Sequence, residues 1–140
     1  MKHHYMTYLE HSPAQITIAM RLLASQAHLP ALFHCAAGKD RTGILAAVLL
    51  DALGVRHDEI VNDYALTRER MQQLIARLQR DPYSREMLAS VPPFALDADP
   101  ATMAEVLAHL RDQYGGAQGW LRHHGLEPEV IGRLQEALLE

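Results

Sequence analysis

The sequence contains a single cysteine, Cys35, among its 140 residues. One cysteine excludes an intramolecular disulfide and any metal site built from several thiolates. The histidines do not replace the missing thiolates, because the pair His123 and His124 has no third ligand at metal-binding spacing. We therefore predict no metal site and no cofactor. A free thiol survives best in a reducing compartment, so the sequence favours a cytoplasmic location.

Excess positive charge and long apolar runs are also missing. Thirteen Lys and Arg residues face 17 Asp and Glu residues, which gives a formal net charge of -4. A general nucleic-acid binder needs a basic face, so this class is excluded. No apolar run approaches bilayer-crossing length, and the N-terminus lacks the apolar core of a signal peptide. We predict one soluble domain over residues 1–140 with no stable membrane insertion; secretion without a signal peptide stays open.

Helical periodicity is the abundant local signal. Ser12, Pro13 and Gln15 have the pattern of an N-cap, a first-turn proline and a capping box, which predicts a helix over 13–27. An amphipathic pattern from the EIVNDY segment predicts a long helix that ends near Arg80. Three prolines make 81–99 a connector with one helical turn around 85–89. Further helices are predicted from Asp99-Pro100 to about residue 114, over about 118–124, and after Glu127-Pro128.

Only one segment has the pattern of a buried strand. Residues 30–34, PALFH, form a short apolar run after a breaker and lead directly to Cys35. Residues 38–43 are polar and contain glycine, and 44–53 are almost wholly apolar before Gly54, so a loop precedes a buried helix. A strand, loop and helix in this order normally belong to a parallel sheet. Either residues 5–9 pair with this strand, or a second chain does in a homodimer, or the sheet has been lost. We predict a mostly helical α/β domain with a small parallel sheet.

The loop 34–43, HCAAGKDRTG, has the composition of an anion-binding catalytic site. A thiolate at Cys35 can attack phosphorus if nearby positive potential lowers its pKa from the usual value of about 8.5. Backbone N–H groups of residues 36–41 would form an anion nest, and the following helix N-terminus would add its dipole. Gly38 permits the tight turn. Ala36, Ala37, Gly38, Lys39, Asp40 and Arg41 are therefore the predicted phosphate-binding residues.

The side chains of this loop have separate predicted roles. Arg41 can give two parallel hydrogen bonds to phosphate oxygens, a geometry that lysine cannot match. Thr42 can hydrogen-bond the sulfur and stabilise it as a leaving group. His34 and Gly43 are interpreted as scaffold, and Lys39 as an electrostatic attractor rather than a specific lipid reader. Elsewhere, Arg68 and Arg70 are expected to be solvated, and Tyr64 and Trp120 to be packing residues.

This loop resembles the HCxxGxxR[ST] signature of protein tyrosine phosphatases, and HCAAGKDRTG is similar to a bacterial subgroup of that family. The segments LDALGV and NDYALT, which follow the loop, are also similar to that subgroup. The resemblance implies a truncated phosphatase domain with 34–43 as its P-loop, a phosphocysteine on Cys35 and phosphate bound by Arg41. It also implies substrates among phosphotyrosine, phosphoserine or phosphothreonine, and inositol lipids.

The general acid departs from the family pattern. Typical members carry an aspartate upstream of the cysteine, but here no aspartate precedes Asp40 and the only earlier acid is Glu10. Leaving-group protonation must therefore come from Asp40, from a downstream residue such as Asp63, or from nowhere. Asp40 is our choice, since the subgroup is thought to use the matching position. The alternative is that Asp40 only orders the loop between two cations.

The predicted function is metal-independent hydrolysis of phosphomonoesters, with Cys35, Asp40, Arg41 and Thr42 as catalytic residues. The expected partners are phosphorylated proteins or small phosphomonoesters, and aryl esters are the favoured substrates. A rival is a pseudophosphatase that binds phosphorylated partners without hydrolysing them. A second rival is a thiol enzyme such as an arsenate reductase or a rhodanese-like transferase, which the absence of a second cysteine disfavours.

Overall fold

The structure of the chain, a computed structural model, describes residues 2–92 and 96–139. This part of the chain forms eight α-helices and one 3₁₀ turn at Gln26–His28. The helices are α1 (Lys2–His11), α2 (Pro13–Leu23), α3 (Asp40–Ala52), α4 (His57–Leu78), α5 (Pro82–Ala89), α6 (Pro100–Tyr114), α7 (Ala117–His123) and α8 (Pro128–Leu138). No helix of this part is long and apolar enough to span a bilayer.

Helices α3 and α6 occupy the centre of the domain. α3 contacts α1, α4, α6 and α7, and α6 contacts α1, α4 and α7. The two helices bury apolar side chains that are almost wholly removed from water, among them Val48, Met103 and Leu107. Trp120 of α7 is 1% exposed and completes this core, as predicted for a packing residue. The packing of α1 and α4 on α3 places both helices beside the N-terminus of α3, where the loop 34–43 ends.

Several predicted helix boundaries are confirmed, because their signals are local. The Asp99 side chain accepts a hydrogen bond from the backbone N–H of Ala101 and begins α6 before Pro100. Gly54 follows α3 with a φ of +87°, a left-handed conformation that favours glycine. The next N–H, that of Val55, closes the helix end on the carbonyl of Leu50 at 3.0 Å. These caps fix the start of α6 and the end of α3.

Two expectations near the N-terminus are wrong. The Ser12 side chain forms no capping hydrogen bond, and α2 ends at Leu23 rather than near residue 27. Residues 5–9 do not form a strand but lie within α1, where Tyr5 and Leu9 are buried. These two residues are four apart, so they lie on the same helix face and pack into the core.

The predicted strand at 30–34 does not form in the described structure: Pro30 lies in a bend, residues 31–34 have no regular secondary structure, and Leu32 is 89% exposed. Within residues 2–92 and 96–139 the chain contains no β-strand, so the small parallel sheet is not observed. The physical reason is that a strand needs a neighbouring strand to accept and donate its backbone hydrogen bonds. Residues 5–9, the candidate for that neighbour, are helical and belong to α1. Residues 93–95 of the predicted connector lie outside the described residues.

Candidate active site

The loop that carries Cys35 joins the segment 30–34 to α3. Gly38 adopts a φ of +68°, and the chain enters α3 at Asp40. The N–H of Gly43 donates to the carbonyl of Lys39 at 2.9 Å and closes the first turn. Since Gly38 is in the left-handed region, the loop can reverse there and bring residues 38–42 back around Cys35.

The Cys35 thiol has the electrostatic character of a nucleophile. Partial burial on its own would raise its pKa, but hydrogen bonding by the Thr42 side chain and by the backbone N–H groups of Thr42, Gly38 and Lys39 opposes this. These interactions lower the pKa of Cys35 to about 7. Backbone donors that face the sulfur are the groups that stabilise a thiolate. The loop therefore makes a substantial fraction of Cys35 anionic at neutral pH.

The Thr42 hydroxyl interacts with this sulfur and helps to lower its pKa. Its Oγ1 atom is buried and has no regular hydrogen-bond partner among the described residues. An unmade hydrogen bond in a buried hydroxyl is costly, and a charged sulfur is a stronger acceptor than a neutral thiol. The Thr42 hydroxyl thus gains most when Cys35 is ionised.

The Lys39 ammonium lies inside the domain and not on its surface. The residue is 1% exposed, its Nζ donates to the backbone carbonyl of Asp97 at 3.1 Å, and it lies 3.0 Å from Oδ1 of Asp40. The Lys39 backbone N–H faces the Cys35 sulfur while its side chain turns the other way. The loop lysine is therefore an internal structural charge in this conformation.

The Asp40 carboxylate is held by two groups on one oxygen. Oδ1 accepts a hydrogen bond from the Tyr5 hydroxyl at 2.8 Å and also pairs with Lys39. The Tyr5 oxygen in turn lies 2.5 Å from the Tyr64 hydroxyl. The Asp40 side chain remains 27% exposed, so the carboxyl group still reaches solvent.

Arg41 and His34 lie on the outer side of the loop. Arg41 is exposed and forms no hydrogen bond or ion pair within the described part of the chain. It borders a cavity of about 500 Å³ between α1, α2 and α3, whose walls include Tyr8, Ile16 and Leu45. His34 is exposed, and its Nδ1 lies 3.2 Å from the carbonyl of Cys35, where a protonated Nδ1 would donate. The exposed residues Ala36 and Gly38 leave the outer face of the loop open.

Asp63, the alternative acid, lies on the opposite side of the loop. It is exposed on α4 and borders a small cavity of about 80 Å³ together with Gly38, Thr42 and Thr67. Asp63 forms no hydrogen bond to the loop in the described structure, whereas Asp40 is held in place. The geometry thus favours Asp40 over Asp63 as an oriented carboxyl group.

Sequence reasoning missed Tyr5, Tyr64 and Asp97 as parts of this site. Tyr64 was expected only to pack, and Arg68 was expected to be solvated. Arg68 is about half exposed, but its guanidinium binds both carboxylate oxygens of Asp97, at 2.6 and 2.8 Å. The one available signal was the NDYALT segment, which contains Tyr64 and had no assigned role. Nothing in the sequence pointed to Tyr5.

Comparison with known proteins places this geometry in a family. The sequence matches the tyrosine phosphatase family over residues 1–140. It is 34% identical over 148 aligned positions to a tyrosine-protein phosphatase of Nostoc commune, which covers 96% of this chain and 47% of the relative. It is 35% identical over 121 positions to the triple specificity protein phosphatase PtpB of Mycobacterium tuberculosis, which covers 79% of this chain and 44% of the relative. The chain therefore spans about half the length of these bacterial relatives. Its loop and its sequence together show that the chain belongs to the tyrosine phosphatase family.

Proposed function

We propose that this chain hydrolyses phosphomonoesters with Cys35 as the nucleophile. In the first step the Cys35 thiolate attacks phosphorus, an S–P bond forms, and the bond from phosphorus to the leaving oxygen breaks. Asp40 gives its proton to that oxygen, so the alcohol or phenol departs neutral. In the second step water attacks phosphorus and loses a proton to the Asp40 carboxylate. The S–P bond breaks, inorganic phosphate forms and the thiolate is restored.

The remaining residues of the loop bind and stabilise the phosphoryl group. Backbone N–H groups over 36–41 would hold the equatorial oxygens, and Arg41 would add a bidentate pair from a guanidinium that no described residue engages. Thr42 would support the sulfur as it leaves in the second step. His34 and Gly43 would keep the loop in this shape.

One observation carries the proposal: the pKa of Cys35 is about 7, because loop N–H groups and a hydroxyl converge on its sulfur against the effect of burial. A protein that only captured phosphorylated partners would need the anion nest but not an activated thiol. The intact set of Cys35, Asp40 and Arg41 therefore favours the enzyme over the pseudophosphatase.

Aryl phosphates such as phosphotyrosine are the proposed substrates. A phenolate is a good leaving group, so its esters depend least on protonation by Asp40. The name of the mycobacterial relative, triple specificity protein phosphatase, supports a broader range that extends to other phosphomonoesters. We favour a cytoplasmic location, since a thiol of which a substantial fraction is ionised at neutral pH is readily oxidised.

The test is release of inorganic phosphate from p-nitrophenyl phosphate and phosphotyrosine, with chelator present, by the wild type and by Cys35→Ser. We expect metal-independent turnover that Cys35→Ser abolishes, and a phosphocysteine trapped by acid quenching in the wild type alone. Saturable binding of phosphate without turnover would instead identify a phosphate-binding module.

For the fold, we propose that the segment 30–34 becomes a strand when a second copy of the chain pairs with it. Leu32 is 89% exposed in this segment, and a cavity of about 390 Å³ beside it is lined by apolar residues of α2 and α3. Light scattering should give the mass of a dimer for the wild type and of a monomer for Leu32→Lys. A monomeric wild type would contradict this arrangement.

A further inference from the structure

We propose that Tyr5 and Tyr64 are positioning residues that hold the Asp40 carboxyl group in place for proton transfer. The inference rests on the proposed function, because it assigns a role in the same reaction to two residues outside the loop. Tyr5 comes from α1 and Tyr64 from α4, and their hydroxyl groups form a chain that ends on Asp40.

The direction of this hydrogen-bond chain is fixed by its end. A carboxylate only accepts, so Tyr5 donates to Oδ1 of Asp40 at 2.8 Å. The Tyr5 oxygen is then the acceptor in the 2.5 Å contact, and Tyr64 is the donor. Burial raises the pKa of Tyr5 and of Tyr64, and the interaction between the two hydroxyl groups raises that of Tyr5 further. Both phenols therefore stay protonated and remain donors throughout the neutral range.

The chain selects which oxygen of Asp40 faces the reaction. Tyr5 and Lys39 both bind Oδ1, at 2.8 and 3.0 Å, and neither of these contacts uses Oδ2. With one oxygen fixed by two neighbours, the carboxyl group cannot rotate freely. Oδ2 is left as the oxygen that can exchange a proton with the leaving group or with water.

The fit of Tyr64 against the loop is a second, independent observation. A Cβ atom at Gly43 would lie 3.0 and 3.1 Å from two ring carbons of Tyr64, which is closer than normal packing allows. The ring of Tyr64 also meets the ring of Tyr5 edge to face, with centroids 6.2 Å apart. Phenylalanine would fill both spaces equally well, so packing explains the rings but not the two buried hydroxyl groups.

The experiment compares leaving groups rather than overall activity. We would measure kcat and KM of the wild type, Tyr5→Phe, Tyr64→Phe and Asp40→Asn with p-nitrophenyl phosphate and with phenyl phosphate, whose leaving group is poorer. Tyr5→Phe should lower kcat/KM, which reports the steps up to departure of the leaving group, by about tenfold for phenyl phosphate and by less than about twofold for p-nitrophenyl phosphate. Tyr64→Phe should show the same pattern with a smaller loss.

The control is Tyr114→Phe, which removes the same atom from the end of α6, where the ring contacts His109 and His123. It should leave both substrates unaffected. In the Asp40→Asn background Tyr5→Phe should cause no further loss, because a positioning residue acts only through the group that it positions. If Tyr5→Phe does not fold, as shown by circular dichroism, Tyr64→Phe decides the same question.

The outcomes separate this inference from the function on which it depends. A wild type without Cys35-dependent turnover removes the proposed function and this inference with it. An active wild type whose Tyr5→Phe and Tyr64→Phe variants match Tyr114→Phe overturns the inference alone. Equal losses of kcat/KM on both substrates, or losses that add to that of Asp40→Asn, would also overturn it, because they indicate a general structural role.

Discussion

The Lys39 ammonium donates to the backbone carbonyl of Asp97 at 3.1 Å, across 58 positions of sequence. The carboxylate of the same aspartate binds Arg68 of α4. Asp97, which precedes α6, therefore joins the loop 34–43 to the long helix α4. The loop conformation depends on this contact, since Lys39 is also the ion-pair partner of Asp40.

Removal of the Lys39 charge should destabilise the domain. Lys39→Met leaves Asp40 beside an apolar group. Removal of one member of a buried ion pair lowers the free energy of unfolding by about 3 kcal/mol or more. We expect a decrease of about 2–3 kcal/mol in the free energy of unfolding, measured by urea denaturation, because Asp40 keeps some access to water. The double variant Lys39→Met, Asp40→Asn should recover part of the loss. No recovery would mean that the two charges do not act as a pair.

Gly43→Ala tests the contact between the loop and Tyr64. The added methyl group would lie 3.0 Å from the Tyr64 ring, which is buried and whose hydroxyl is held by Tyr5. We expect a loss of about 1–3 kcal/mol in the free energy of unfolding, as for other overpacked sites.

The matched control is Gly132→Ala in α8, where a Cβ atom meets nothing within 4 Å. That substitution should stabilise the domain slightly, by about 0.4–1 kcal/mol, because alanine restricts the unfolded chain. Equal effects of the two substitutions in thermal or urea unfolding would contradict the predicted clash.

The ionisation of Cys35 predicts its reactivity as a function of pH. The sulfur is protonated and unreactive below its pKa of about 7 and becomes a thiolate above it. The rate of iodoacetamide alkylation should therefore rise with a midpoint near pH 7. In Thr42→Ala one donor to the thiolate is lost, so the midpoint should move upward by about one pH unit.

Thr42→Ser keeps the hydroxyl group and is the control for this measurement, since its midpoint should stay near that of the wild type. An unchanged midpoint in Thr42→Ala would show that the backbone N–H groups alone ionise the sulfur.

The Arg41 guanidinium should be required for the phosphoryl group but not for the fold. The side chain is exposed and unpaired in the described structure, so Arg41→Ala should leave the melting temperature unchanged. Its kcat/KM should fall by about 10²-fold or more, as expected for loss of a transition-state donor. Arg41→Lys should be intermediate, because an ammonium cannot form the bidentate contact.

Inhibition by inorganic phosphate, measured in parallel, should weaken in both Arg41 variants. Arg122→Ala, an exposed arginine of α7, is the control for a simple change of net charge. If that variant weakens phosphate inhibition equally, Arg41 has no specific role.

The accuracy of the sequence predictions depended on how far apart the interacting residues are. The caps at Asp99 and Gly54 act within a few positions, so the patterns located α6 and the end of α3 correctly. The strand at 30–34 failed because pairing needs a partner that the local sequence does not contain. Helix α1 was missed because its sequence is rich in His, Tyr and Thr, which are weak helix formers, and packing of Tyr5 and Leu9 outweighs this propensity.

The same distinction applies to the candidate site. The loop 34–43 is contiguous, and its residue types alone indicated a thiolate in an anion nest. The groups that would orient Asp40 come from elements that are distant in sequence. Tyr5 and Asp40 are 35 positions apart, and Tyr5 and Tyr64 are 59 positions apart. No spacing rule connects such residues, so the three-dimensional structure was needed to find them.

Trp120 is the single tryptophan of the sequence, and its ring lies 4.6 Å from that of His124, far along the chain from Cys35. Burial, reinforced by the neighbouring His123, lowers the pKa of His124, so at a given pH this imidazole is protonated less than an exposed histidine would be. Indole emission is quenched by a protonated imidazole and should therefore vary less across neutral pH than it would beside an exposed histidine. Tryptophan fluorescence can therefore report whether the core stays folded while the ionisation of Cys35 is measured on the same sample.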